Sequence, residues 1–183
     1  MKILIIATSR SGSTNLMKSI GDANNLDYYF EPYLDKSKFE LIPISKVNIP
    51  NNSVVKTLIN QAPIDDYKEL INQFDKVIFL SRHDVVLAAE SLIGSFDLGR
   101  KYNFDENERA WEKPYFYTNT DTKLLNRYVG MQLYNKHKLE MFANELGYDV
   151  NYYEDLYLNN QPLTDSSIKL KKKYFDSSYK LRK

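Results

Sequence analysis

Residues 2–20, KILIIATSRSGSTNLMKSI, change their hydrophobic period within a single turn. Lys2 to Ala7 is an unbroken aliphatic run of strand length, the pattern of a strand buried on both faces. Five small or polar residues then intervene, and from Ser13 to Ile20 the apolar positions Leu16, Met17 and Ile20 fall on one helical face, with Gly21 expected as the stop. A strand buried on both sides needs a partner strand on each edge and a cover on each face. A chain that opens this way is therefore directed toward a layered α/β fold.

The same alternation recurs. SVVKTLI (Ser53 to Ile59) reads as a strand introduced by the turn at Pro50–Asn52, and Asp65 is placed to cap a helix running through Phe74. KVIFLS (Lys76 to Ser81) is a third buried strand, followed by a helix over residues 84–95. Residues 94–121 are irregular and aromatic, Lys123 to Leu146 is the longest helical pattern, with Gly147 closing it, and YDVNYY (Tyr148 to Tyr153) is a fourth strand. The tail from Ser166 is expected to be helical at first and is strongly basic. The expectation is a single α/β domain over residues 1–183: a three-layer, P-loop-like fold with a central, mostly parallel sheet of four to five strands flanked by helices. In such sheets ligands bind beyond the carboxyl ends of the strands, where the strand order reverses.

Composition removes several classes of function. With no cysteine among 183 residues, disulfides, thiolate metal sites and cysteine nucleophiles are excluded; with only His83 and His137, a histidine-held zinc is not expected. The net charge of +1 gives no support to a general nucleic-acid or membrane role. MKILIIA is too short for a secretory signal, and no later run could span a bilayer, so a soluble protein of the cytoplasm is expected. The aromatic share of 14%, with 15 tyrosines, is high and concentrates interest in the segment containing Phe96, Tyr102, Phe104, Trp111, Tyr115, Phe116 and Tyr117.

The first turn carries the chemistry. Unpaired amides at a helix start bear partial positive charge, so a small-residue loop feeding a helix cradles an anion. Aligned on the nucleotide-binding loop G-x-x-x-x-G-K-[ST], Ala7 stands at the first Gly, Gly12 at the second, Ser13 at the Lys and Thr14 at the hydroxyl. The lysine that reaches a triphosphate is gone, and a cation stands earlier, at Arg10. An ordinary polar strand-to-helix turn has the same outline.

R-S-G-S-T-x-L after a buried strand resembles the 5′-phosphosulfate loop of sulfotransferases that use 3′-phosphoadenosine 5′-phosphosulfate (PAPS), closest to the bacterial and carbohydrate-type members. A second stretch, KVIFLSRHDVVLAAESL, resembles that family's 3′-phosphate motif, with Arg82 and Ser91 matching in type. Their spacing is nine residues; the spacing of eight common in the family would put His83 in place of Arg82. Arg82 is favoured because a guanidinium offers a fixed fork to phosphate oxygens. YYFEPY (Tyr28 to Tyr33) resembles the family's EP segment, in which the Glu, here Glu31, acts as general base; the other reading is a loop Glu before a proline. Lys56 in VVKTL corresponds to a lysine of bacterial members, or is a strand-end lysine whose stem lies on the core. YEDL, with Glu154 and Asp155, resembles a fold marker near the last core strand. The basic stretch KLKKKYFDSSYKLRK departs from the family pattern, which closes the site with a late glycine loop.

The resemblance implies a PAPS-dependent sulfotransferase that moves a sulfuryl group to a hydroxyl of a carbohydrate or other small-molecule acceptor, without a metal. It implies catalytic roles for Glu31, Arg10 and Lys56, and donor binding by Arg10, Ser11, Gly12, Ser13, Thr14, Arg82 and Ser91. Adenosine 3′,5′-bisphosphate is the implied product. Two other readings stand beside it: a P-loop nucleotide kinase or NTPase, and a non-catalytic binding module that keeps the fold. Acceptor identity and oligomeric state are not written in the sequence.

Overall fold

The computed structural model describes residues 1–35, 40–102 and 122–158. The aromatic residues from Phe104 to Tyr117 and the basic tail lie outside the described residues, as do the side chains of Phe96 and Tyr102.

Lys2–Ala7 forms β1, and Ser13–Asn24 forms α1. Asp27–Phe30 forms β2, and a short antiparallel pair follows, Leu34–Asp35 (β3) with Glu40–Leu41 (β4). Ser53–Leu58 is β5, Ile64–Ile71 is α2, Lys76–Ser81 is β6 and Val85–Tyr102 is α3. Thr122–Glu145 is α4, Val150–Tyr152 is β7 and Tyr153–Leu158 is α5. The main sheet has the order β2-β5-β1-β6-β7, with every pairing parallel.

Strand alternation divides the core. Ile3, Ile5 and Ala7 of β1, with Val54 and Leu80, meet Leu16 and Met17 of α1 on one face. Leu4 and Ile6, with Val55 and Phe79, meet Tyr67 and Leu70 of α2 and Leu139 and Phe142 of α4 on the other. Phe142 lies edge-on to Phe79, with ring centroids 5.7 Å apart. These are the three layers expected, and the sheet has five strands, all parallel.

The chain leaves β1 toward β2 and leaves β6 toward β7, so connections from two adjacent strands diverge. The carboxyl ends of β1 and β6 thus bracket the reversal point where such sheets bind ligands.

Several sequence expectations change. Gly21 does not stop α1; the helix continues to Asn24 and ends on Asn25 in the left-handed region. A Cβ at Gly21 would lie 2.2 Å from Cε1 of Tyr28, so this glycine makes room for a ring. Asp65 is not a cap: Pro63 precedes the first turn of α2, which ends at Ile71 rather than Phe74, and Asp65 lies within that turn. Tyr28–Phe30 belongs to edge strand β2, an element the sequence pattern did not mark, and Glu31 directly follows it. The backbone of α3 runs on to Tyr102 because no proline interrupts residues 95–102. Tyr153 opens α5 instead of closing the fourth strand. Gly147 does end α4: at φ 75° it lets the Tyr148 amide reach the Ala143 carbonyl at 2.9 Å and its own amide reach Asn144 at 3.1 Å.

Candidate functional site

A cavity of about 380 Å³ opens at the carboxyl end of the sheet. Because the strands lie side by side, their order sets out its walls. Starting from the β2 edge come Phe30 at the end of β2 and Glu31 after it, Lys56 and Leu58 on β5, the turn after β1, and Arg82 after β6; Ser91 and Leu92 of α3 and Tyr153 of α5 also line the cavity. With adjacent strands about 4.8 Å apart, the β2 and β6 ends are separated by roughly 14 Å.

The turn after β1 is held from several sides. The Thr8 amide donates to the Leu80 carbonyl at 3.0 Å, and the Ser11 hydroxyl donates back to the Thr8 carbonyl at 2.7 Å. Gln132 of α4 donates to the Ser9 hydroxyl at 2.8 Å. Arg10 and Gly12 both have left-handed backbones, at φ 62° and 78°. Gly12 is the N-cap of α1, and no side chain caps that helix start. A Cβ on Gly12 would lie 2.7 Å from the Tyr153 ring and 3.1 Å from the Tyr157 ring, and the Tyr157 hydroxyl donates to the Gly12 carbonyl at 3.1 Å. Helix α5 therefore seats on the glycine. In the YEDLYL stretch Tyr153 lines the cavity, and Tyr157 packs behind it on Gly12.

Arg10 and Arg82 share the cavity. Arg10 Nε donates to Ser91 Oγ at 2.9 Å, and Arg82 donates to the Arg10 carbonyl at 3.3 Å. Arg10 reaches solvent at the mouth but is crowded by protein, and the lost hydration, then the charge of Arg82, lowers its pKa from the usual value. It remains a cation. Arg82 Nε lies 3.4 Å from Glu154 without hydrogen-bond geometry, and its guanidinium stacks 4.7 Å above the Tyr153 ring. Glu154 is itself fixed by the amides of His83 and Asp84, at 2.8 and 3.2 Å. His83 turns elsewhere, stacked 3.8 Å from Tyr152 with Nε2 3.5 Å from Asp155. Of the two residues that could serve the second motif, Arg82 is the one that lines the cavity.

At the other end, Glu31 and Lys56 form a buried ion pair through Oε1 and Nζ, with side chains 11% and 5% exposed. Lys56 is thus not a snorkelling strand end. Its ammonium also lies 4.3 Å from the centre of the Phe30 ring. Glu31 Oε2 accepts from Gln61 Nε2 at 2.7 Å. Glu31 is left-handed at φ 50°, and its amide extends the β2–β5 pairing by donating to the Lys56 carbonyl at 2.8 Å.

Of the residues singled out from sequence, Arg10, Gly12, Ser13, Thr14, Glu31, Lys56, Arg82 and Ser91 all line this one cavity. Ser11 is the exception: fully buried, it braces the turn from behind. Sequence reasoning missed Phe30, Gln61, Tyr153 and Tyr157 as parts of the site. Only the tyrosine spacing i, i+4 in YEDLY carried a signal of a shared face.

No protein-family model matches the chain, and no curated protein does.

Two like-charged guanidinium groups lining one cleft, beside an uncapped helix start, suit a polyanion. A volume near 380 Å³ falls in the range of small-molecule and cofactor sites.

Proposed function

We propose that the chain is a cytoplasmic PAPS-dependent sulfotransferase acting on a hydroxyl of a carbohydrate or other small-molecule acceptor. The observation that carries this reading is the convergence, in one cavity at the carboxyl ends of the strands, of the Arg10–Thr14 turn, the Arg82/Ser91 pair and the Glu31–Lys56 pair. Ser13 in the position of the nucleotide-loop lysine weighs against a triphosphate enzyme.

The residues fit such a donor. Arg10 and the first-turn amides of α1 hold the phosphosulfate end; Arg82 and Ser91 hold the 3′-phosphate. The donor supplies an activated sulfuryl group whose departure leaves adenosine 3′,5′-bisphosphate. Glu31, kept in place by Lys56 and Gln61, takes the proton of the acceptor hydroxyl. Arg10 answers the charge that grows on the leaving phosphate oxygen.

Calorimetric titration with adenosine 3′,5′-bisphosphate tests this, with ATP plus magnesium and adenosine 5′-monophosphate as comparisons. The expected result is saturable binding of the bisphosphate and much weaker binding of the other two. Preferential binding of ATP with magnesium favours a kinase or NTPase. Tight bisphosphate binding without transfer to any of a broad acceptor panel favours a binding module.

A further inference from the structure

Gln61 sits in the turn after β5, outside the sequence motifs and outside the cavity lining, yet its side chain makes three hydrogen bonds and the residue is 4% exposed. Its Oε1 accepts from the Thr57 hydroxyl and from the Leu58 amide, both at 3.0 Å. A backbone amide can only donate, so that oxygen is the acceptor end of the side chain. Nε2 must therefore point the other way, where it donates to Glu31 Oε2 at 2.7 Å.

We propose that Gln61 is a positioning residue that fixes the Glu31 carboxylate for its work as a base. Lys56 holds one carboxylate oxygen and Gln61 the other, so rotation of the group is closed from both sides. The order of the chain matters: Tyr67 of α2 meets the Thr57 hydroxyl at 3.1 Å, Thr57 orients Gln61, and Gln61 orients Glu31. Among the described residues, Lys56 from β5 pairs with Glu31, Tyr67 from α2 feels the charges of Glu31, Tyr33 and Asp66, and Lys138 from α4 reaches the Ile59 carbonyl of the same turn at 3.1 Å. The role as base rests on the sulfotransferase reading; the orientation of Gln61 does not.

Gln61→Glu separates the two ends of the side chain. It keeps an oxygen for Thr57 and Leu58 and replaces only the donor facing Glu31. Two facing carboxylates share a proton, so activity in Gln61→Glu is expected to move toward alkaline pH by about one unit or more. Gln61→Met, with no donor, is expected to lower kcat on the order of ten-fold or more, while acceptor KM and bisphosphate affinity stay within about two-fold. An unmoved pH profile in a folded Gln61→Glu, or unchanged kcat in Gln61→Met, overturns the proposal. A variant-free measurement covers failure to fold: in the wild-type chain, the Gln61 side-chain amide protons and the Glu31 carboxyl carbon, followed by NMR, should respond to pH on one curve. A Gln61 amide that ignores the Glu31 titration overturns the proposal, whether or not the protein binds adenosine 3′,5′-bisphosphate.

Discussion

Asn25, Asn52, Arg10 and Glu31 all have positive φ, but for different reasons. Asparagine enters the left-handed region readily, because its short amide bonds to the local backbone. Arginine and glutamate gain no such relief, and each such residue costs on the order of 1–3 kcal/mol. Both line the cavity, one at the turn after β1 and one at the Glu31–Lys56 end. Arg10→Ala is expected to lower turnover on the order of 10²–10³-fold, the loss typical of one charge-stabilising donor, in a steady-state sulfate-transfer assay. Lys56→Met leaves Glu31 as an unpaired buried charge, a change that costs about 3–5 kcal/mol. Urea unfolding should show a lower midpoint with an unaltered slope.

Helix α5 is short, but it determines what the first turn can accept. Tyr153 and Tyr157, with ring centroids 4.7 Å apart, occupy the space that a side chain at position 12 would need. Gly12→Ala meets both those rings and a left-handed backbone. The expected outcome is loss of detectable bisphosphate binding by calorimetry, together with a lowered Tm. Legibility divides at this scale too. β1, the turn and the start of α1 could be read because the change of period coincides with the polar residues, and β6 because its apolar run is bounded on both sides. β2 was hidden: Asp27–Phe30 is an edge strand with three exposed positions and no alternation to mark it. Gly21 was misread, since sequence does not show that the ring of Tyr28, seven residues beyond, will fill its space. Gln61 belongs to no motif, and only the folded turn brings it to Glu31. The cavity itself was legible in outline because its residues follow strand ends, and strand ends in a parallel sheet gather on one side.

For the molecule as a whole, tyrosine burial governs behaviour in alkali. Burial, then the Glu140 carboxylate accepting from its hydroxyl at 2.7 Å, pushes Tyr152 up to about 12. Tyr33, Tyr67, Tyr153 and Tyr157 are raised as well, each first by burial. The unfolded chain releases these protons near pH 10, and the folded chain holds them longer. Stability supplied by Tyr152 is thus fully present below about pH 10 and is lost as pH rises toward about 12. Chemical denaturation at stepped pH should show this decline, and Tyr152→Phe should flatten it.

β1 lies in the middle of the sheet yet precedes in the chain both of its hydrogen-bonded partners, which begin at residues 53 and 76. During synthesis, β1 must wait with both hydrogen-bonding edges unpaired until those neighbours have emerged from the ribosome. That delay leaves a nascent segment with open strand edges for many codons, the kind of edge that templates pairing with another chain.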